Sequence, residues 1–296
     1  PSNICRFHCR FCSFRKSSEK GYLLSVDEVL DKIKSLYTGV ETEVHITGSV
    51  HPKHNFNYML ELVSAISKAF PNIHIKAFSA VELAYIMNAE GIPFAEGLSK
   101  LKQAGLGSLP GGGAEIFDES IRKQICPDKP DGASWLAIHE AAHKTGIPSN
   151  ATMLYGHIEK FEHRIDHLEK LRYLQDNTKG FNAFIPLKFL SANNEMSSAG
   201  EGFITDDMRN YAISRIFLDN IPHLKAYWPA IGRDAAQMSL MFGVDDLDGT
   251  INNTTSIYTE AGSREQRPDM SEEELKRMIR TAGFEAKERD SLYRTR

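Results

Sequence analysis

Cysteine is scarce, with 4 in 296 residues. A small secreted fold stapled by disulfides needs a shorter chain and more thiols, so that class is excluded. Long apolar runs are missing too. None approaches the roughly 18 residues that a spanning helix needs, and no membrane partner is expected. Basic charge is not in excess. A net charge of −4 and a pI near 6.3 argue against a nucleic-acid surface. No secretory leader and no low-complexity stretch are visible. What remains is ordinary for a globular enzyme: 41% hydrophobic and 25% charged residues. The chain opens at Pro1, without a methionine. A barrel would need a strand ahead of the first thiols, so an upstream segment is expected to precede this sequence.

Three of the few cysteines crowd into the opening residues, as Cys5-Arg-Phe-His-Cys9-Arg-Phe-Cys12. Thiolates at this C-x3-C-x2-C spacing can hold three irons of a 4Fe–4S cluster. Such clusters usually take four thiolates. A missing fourth ligand leaves one iron open to something exchangeable. His8 lies among the thiols, so a Cys3His zinc site is the competing reading. Zinc knuckles place their ligands in two separated pairs, and the adjacent His8 and Cys9 point apart. An iron–sulfur electron carrier would need a fourth protein ligand close by. Cys126 stands in a distant segment, Gln-Ile-Cys-Pro, and is expected to be a packed structural thiol.

Strand patterns alternate with amphipathic ones. Strands are expected at Glu43 to Gly48, Ile73 to Phe78, Ser149 to Tyr155, Phe181 to Leu187 and Leu224 to Trp228. Helices are expected at Tyr58 to Phe70, Val81 to Asn88, Phe94 to Ala104, Gly132 to Lys144, Phe161 to Leu174, Asp206 to Asp219 and Glu272 to Ala282. Gly146 reads as a C-cap. Strands that alternate with helices mean βαβ units and a parallel sheet. At this length the expected fold is an α/β protein closed as a (β/α) TIM-type barrel, one domain over residues 1–296 with a C-terminal helical extension. Gly262 to Asp269 is the one linker-like stretch.

Barrel chemistry gathers on the loops after the strands. The unusual residues fall there: Thr47-Gly-Ser-Val-His-Pro52, Ser79 to Glu82, Pro110-Gly-Gly-Gly-Ala-Glu115, Tyr155-Gly-His157, Pro186 and Asp245-Asp-Leu-Asp-Gly-Thr250. A triple glycine alone is a tight loop as readily as a site. Their coincidence behind a three-cysteine loop is the stronger signal.

The cysteine spacing resembles the signature of the radical S-adenosylmethionine enzymes. Over nearly its whole length the chain resembles the aminofutalosine (aminodeoxyfutalosine) synthase family of menaquinone biosynthesis. The stretches that carry this are SNICRFHCRFCSF, ITGSVHP, KAFSAVE, GLGSLPGGGAEIF, NATMLYGHIE, FNAFIPL, LDNIPHLKAYW and GVDDLDGTI. Dehypoxanthine futalosine cyclase and the deazaflavin-cofactor synthase are the related alternatives. One departure stands out: after DLDGT the chain reads Ile-Asn-Asn-Thr-Thr, where the family carries glutamates.

The resemblance implies a 4Fe–4S cluster on Cys5, Cys9 and Cys12, with S-adenosylmethionine as co-substrate. It implies an enolpyruvyl benzoate, 3-[(1-carboxyvinyl)oxy]benzoate, as the small-molecule substrate. An electron donor such as flavodoxin or ferredoxin and a reducing, cytoplasmic setting follow. The oligomeric state is left open. Phe11 is expected to flank the adenine, and Thr47, Gly48 and Ser49 to receive the methionine ammonium. Ser79, Glu82 and Glu115 are placed at the ribose or ammonium. Met153 and Leu154 are expected to pack on the adenine, and Glu159 closes that element. For the substrate carboxylates the candidates are His51, Tyr155 and His157 on loops, with Arg233 and Arg289 as guanidinium clamps. Asp246 and Asp248 order a water or a loop.

Overall fold

The structure, a computed structural model, describes residues 1–200, 202–251, 256–266 and 268–296. The helical and strand segments run α1 (Val26–Leu36), β1 (Glu43–Ile46), α2 (Phe56–Ala69), β2 (His74–Ala77), α3 (Ala80–Glu90), α4 (Phe94–Ala104), α5 (Glu119–Ile125), α6 (Gly132–Lys144) and β3 (Ser149–Tyr155). They continue as α7 (Phe161–Thr178), β4 (Phe181–Lys188), α8 (Ile204–Phe217), β5 (His223–Leu224), α9 (Trp228–Ile231), α10 (Arg233–Ser239), α11 (Ile257–Glu260) and α12 (Glu272–Thr281).

All strand pairing is parallel apart from two isolated antiparallel bridges near the chain ends. β1 lies on β2 with Glu43 opposite His74 and Ile46 opposite Ala77. β3, β4 and β5 form a second ladder. Single bridges join the two ladders, Lys76 to Ser108 and Leu109 to Ser149, and Lys225 to Asp246 extends the far edge. Residues 108–109 thus act as a strand between β2 and β3. The result is a continuous run of seven parallel segments in chain order, wrapped by helices. Among the described residues no backbone bridge joins Asp246 to β1, so the expected ring is seen as an open run. Charged side chains pair along the run: Lys76 with Glu43, and Lys225 with Asp248.

Local chemistry explains the elements. α2 begins at Asn55, whose side chain accepts from the Tyr58 amide, and buries Phe56, Met59, Leu62, Val63 and Ile66. These side chains contribute about 1.5–3 kcal/mol each. α1 and α5 are not among the expected helices. Both carry an N-cap signature: Ser25 with Glu28 makes a capping box, and Asp118 accepts from the Ile121 amide. Trp228, expected to end a strand, instead opens α9 with Pro229 behind it, since proline is at home in a first helical turn. Gly146 has a φ of +73° just past α6, as expected of a residue following a helix end. The Asn-Asn-Thr-Thr stretch at 252–255 lies outside the described residues.

Candidate functional site

The cysteine loop is tied to the molecule at three places. The Arg6 amide donates to the Val50 carbonyl at 3.0 Å and the Arg10 amide to Ile125 at 2.8 Å; the Glu195 amide donates to the Arg10 carbonyl at 2.9 Å. Phe7 buries its ring against Val50 and Val81. The loop therefore spans the ends of several parallel segments. Cys5, Cys9 and Cys12 are free and half-buried. Burial pushes the Cys5 and Cys12 thiols up from the ordinary value, so iron would have to displace their protons. His8 is engaged by the Glu195 carboxylate. The donor set on this loop is thus three sulfurs, which suits three corners of a cubane.

Cys126 is buried as expected, but it is not remote. Its sulfur lies within hydrogen-bond reach of Cys9, because α5 ends at the cysteine loop. Cys126 lies on another segment from the three-thiol loop, and Cys5, Cys9 and Cys12 are the thiols that would hold the cluster.

The loop after residues 108–109 is held closely. A Cβ on Gly111 would come within 2.6 Å of the Asn150 carbonyl oxygen and 2.8 Å of the Ala151 carbonyl carbon. Glycine is required by that approach to β3. The buried Arg122 donates to the Ala114 carbonyl at 2.6 Å and to the Ile116 carbonyl at 3.2 Å. Glu115 has a φ of +52°, and its carbonyl accepts from the Leu154 amide at 2.7 Å. Its carboxylate forms a buried ion pair with Lys129. The Lys129 ammonium lies 5.7 Å from the centre of the Phe11 ring. Phe11 therefore presents a face to a cation beside the cysteine loop. Phe78, Glu115 and Asp248 all have positive φ, at 61°, 52° and 73°. Phe78 and Glu115 follow the second and third parallel segments and Asp248 the last, all at the ends where loops leave the segments.

The other expected residues divide into groups. Ser49 is buried, and its hydroxyl donates to the Ile4 carbonyl at 2.6 Å and the Ser2 carbonyl at 3.0 Å. A Cβ on Gly48 would meet Ser2 O at 3.2 Å. Ser49 and Gly48 thus fasten the segment that leads into the cysteines, with Thr47 just before them at the end of β1. Ser79 and Glu82 form the capping box of α3. Glu82 is buried rather than solvated, and burial pushes its carboxyl up to about 7 against the pull of its bonds from Ser79. His51 is buried and borders a cavity of about 10 Å³ shared with Glu82, His54 and Tyr58. That holds a water at most, so His51 does not front a substrate-sized space there.

Strand alternation decides the β3 residues. Ser149 bonds His139 and His143 on α6, and Tyr155 donates to Asp207 on α8 at 3.1 Å. Met153 shares that helix-facing side. Tyr155 and Met153 therefore point away from the interior, and Leu154, with Thr152, faces inward. Glu159 accepts from the Gly156 and His157 amides at 2.6 and 2.8 Å and from Arg164 at 2.7 Å. It ties the loop, and His157 is buried against it, with its Nε2 3.2 Å from the Leu154 carbonyl oxygen.

Neither arginine clamp is free. Arg289 forks onto Asp246, Nε to Oδ2 at 2.6 Å and Nη2 to Oδ1 at 3.0 Å. Arg233 holds Glu265 at 3.3 Å and Glu274 at 3.6 Å and donates to the Asp269 carbonyl at 2.7 Å. It binds α10 to the C-terminal segment. Asp246 and Asp248 are both paired with the buried Lys225. Sequence reasoning missed the interior row formed by Glu43, His45, Lys76 and Lys225. Lys76 pairs with Glu43 at 2.7 Å. His45 is exposed on β1 beside these charges, and the protein packed around it, then Lys76, lowers its imidazole pKa. The available signal was the polar alternation of Glu43 and His45 along β1.

The profile of the Radical SAM superfamily matches residues 1–171, and that of the CofH/MqnC C-terminal region matches residues 178–296. The chain is 44% identical to a protein named aminodeoxyfutalosine synthase from Thermus thermophilus, over 99% of this chain and 80% of that one. It is 40% identical to the 5-amino-6-(D-ribitylamino)uracil–L-tyrosine 4-hydroxyphenyl transferase of Archaeoglobus fulgidus, over 99% of this chain and 84% of that one. Methylornithine synthase superposes with a TM-score of 0.69 at 15% identity, covering 97% of this chain and 81% of that one. That likeness shows the α/β fold. With these two profiles spanning the chain and this identity along it, the chain belongs to the radical S-adenosylmethionine superfamily and is an enzyme working with a 4Fe–4S cluster and S-adenosylmethionine.

Proposed function

We propose that this protein is an aminodeoxyfutalosine synthase, joining the adenosyl group of S-adenosylmethionine to 3-[(1-carboxyvinyl)oxy]benzoate with loss of bicarbonate. The observation that carries this reading is the 44% identity to a protein of that name along nearly the whole chain. When bound, the cluster and S-adenosylmethionine supply the adenosyl radical. The chain's own residues place, orient and enclose. Cys5, Cys9 and Cys12 hold the cluster. The backbone of Thr47 and Gly48 faces the methionine end, and Glu115 and Leu154 face the nucleoside. Arg122, through its bonds to Ala114 and Ile116, keeps the Gly111–Glu115 loop in position. His45, exposed on β1 opposite Lys76 on β2, is the proposed seat of the substrate's polar end, in place of the paired arginines.

The seven parallel segments are read as one barrel and the chain as one domain. A low-potential donor such as flavodoxin or ferredoxin, in the cytoplasm, fits the need for a reduced cluster. A second reading is favoured by the 40% identity to the tyrosine 4-hydroxyphenyl transferase. The test is anaerobic incubation with S-adenosylmethionine, dithionite and each substrate set, followed by mass spectrometry. An adenosyl adduct of the benzoate, with little free 5′-deoxyadenosine, is expected. Turnover only with tyrosine and the ribitylaminouracil, or conversion of dehypoxanthine futalosine with stoichiometric 5′-deoxyadenosine, would sink the proposal.

A further inference from the structure

We propose that Lys129 is the buried cation that sets the reduction potential of the cluster held by Cys5, Cys9 and Cys12. Three thiolates around a doubly charged core leave one negative charge, and the electron accepted from an external reductant makes it two. A cation in the protein interior favours the more negative state, and so raises the potential.

The geometry singles out Lys129. Its side chain is only 10% exposed. Its amide donates to the Cys126 carbonyl at 3.2 Å, and Cys126 touches Cys9. Its ammonium lies over Phe11, the neighbour of Cys12. The other cations on the loop are placed differently. Arg6 is engaged by Tyr85. Arg10 is 47% exposed and pairs with Glu195 at 3.8 Å. Exposed charges are screened by water and salt; Lys129 is not. Its pairing with Glu115 fixes the ammonium in place, which makes Lys129 a positioning residue that acts through the cluster.

The proposal rests on the cluster and not on the identity of the organic substrate. The potential is therefore read without substrate or S-adenosylmethionine, by redox titration of the anaerobically reconstituted protein followed by electron paramagnetic resonance. Iron and sulfide are counted in the same samples. Lys129→Met should shift the midpoint to more negative values. Glu115→Gln, which leaves the cation and removes its counter-charge, should shift it to more positive values. Lys129→Arg should stay near wild type. A purely structural role predicts no opposite signs. Shifts of the same sign in Lys129→Met and Glu115→Gln, or an unchanged midpoint in Lys129→Met, would overturn the assignment. If Lys129→Met does not retain the cluster, Glu115→Gln decides alone, and the absence of a positive shift overturns it.

Discussion

At the scale of single residues, ionisation in the interior is the governing cost. Glu82 is buried, and its carboxyl is raised from 4.5 to about 7. Between these values the folded protein holds a proton that the unfolded chain has released. Stability therefore falls as pH rises from 4.5 to 7 and stays reduced above that. Glutamine keeps the capping box with Ser79 and cannot ionise. Glu82→Gln should be the more stable protein at pH 8, by about 2–3 kcal/mol, and the two should converge near pH 4.5. Parallel stability–pH curves from urea melts would refute this. For the thiols, Cys5→Ala, Cys9→Ala and Cys12→Ala should each lose the cluster in iron and sulfide analysis. Cys126→Ala should keep it, because Cys126 lies outside the three-thiol spacing of the cysteine loop.

At the scale of elements, close approach and alternation decide outcomes. Gly111→Ala should destabilise the protein by about 1–3 kcal/mol, as overpacking does, because its Cβ would collide with the β3 backbone. Gly112→Ala meets nothing within 4 Å and should leave the melting temperature within a degree or two. Equal effects would mean that the loop does not pack on β3 as described. The α6–β3–α7 layer adds a pH dependence of its own. Burial holds His143 down to about 4 and His167 to about 3. As pH falls below about 6.5 the unfolded chain takes up protons that these imidazoles refuse, so stability drops toward pH 4. His143→Gln should lessen that slope by up to about one proton. An unchanged slope would show that His143 is protonated in the fold. Most of these elements were legible from periodicity, as with Phe94–Ala104, which is found as expected. Of the missed helices, α1 carries an apolar stripe of Val26, Val29, Leu30 and Ile33 and was legible, whereas α5, α10 and α11 are too short to show a period. The side of β3 that faces inward was not legible, because all seven of its residues are buried and carry no polar alternation.

At the scale of the whole molecule, the carboxyl end packs on the last of the parallel segments through Arg289 and Asp246. Arg289 is raised above its ordinary pKa, despite burial, by its bonds to Asp246. Arg289→Met removes one partner of a largely buried pair and should cost about 3 kcal/mol of stability, read as a lower urea midpoint. Arg289→Lys keeps the charge but not the two-point geometry and should fall between. If both variants melt with wild type, the end of the chain does not seal this edge.

The sequence alone determined that three thiols sit within reach of one another on the cysteine loop. Cys5, Cys9 and Cys12 lie within one short segment, so their spacing is a covalent constraint that no later packing alters. It also determined the parallel α/β architecture, since each βαβ unit is written in local periodicity. Tertiary structure decided which partners those residues meet. The end of α5 brings Cys126 to Cys9 and Lys129 to Glu115. Arg289 meets Asp246 instead of a ligand, and Ser49 binds the segment ahead of the cysteines. Such pairs are far apart in the chain and close only because the parallel segments curve into a common interior. A buried charge there must find its counter-charge, and no local pattern in the sequence says which one is within reach.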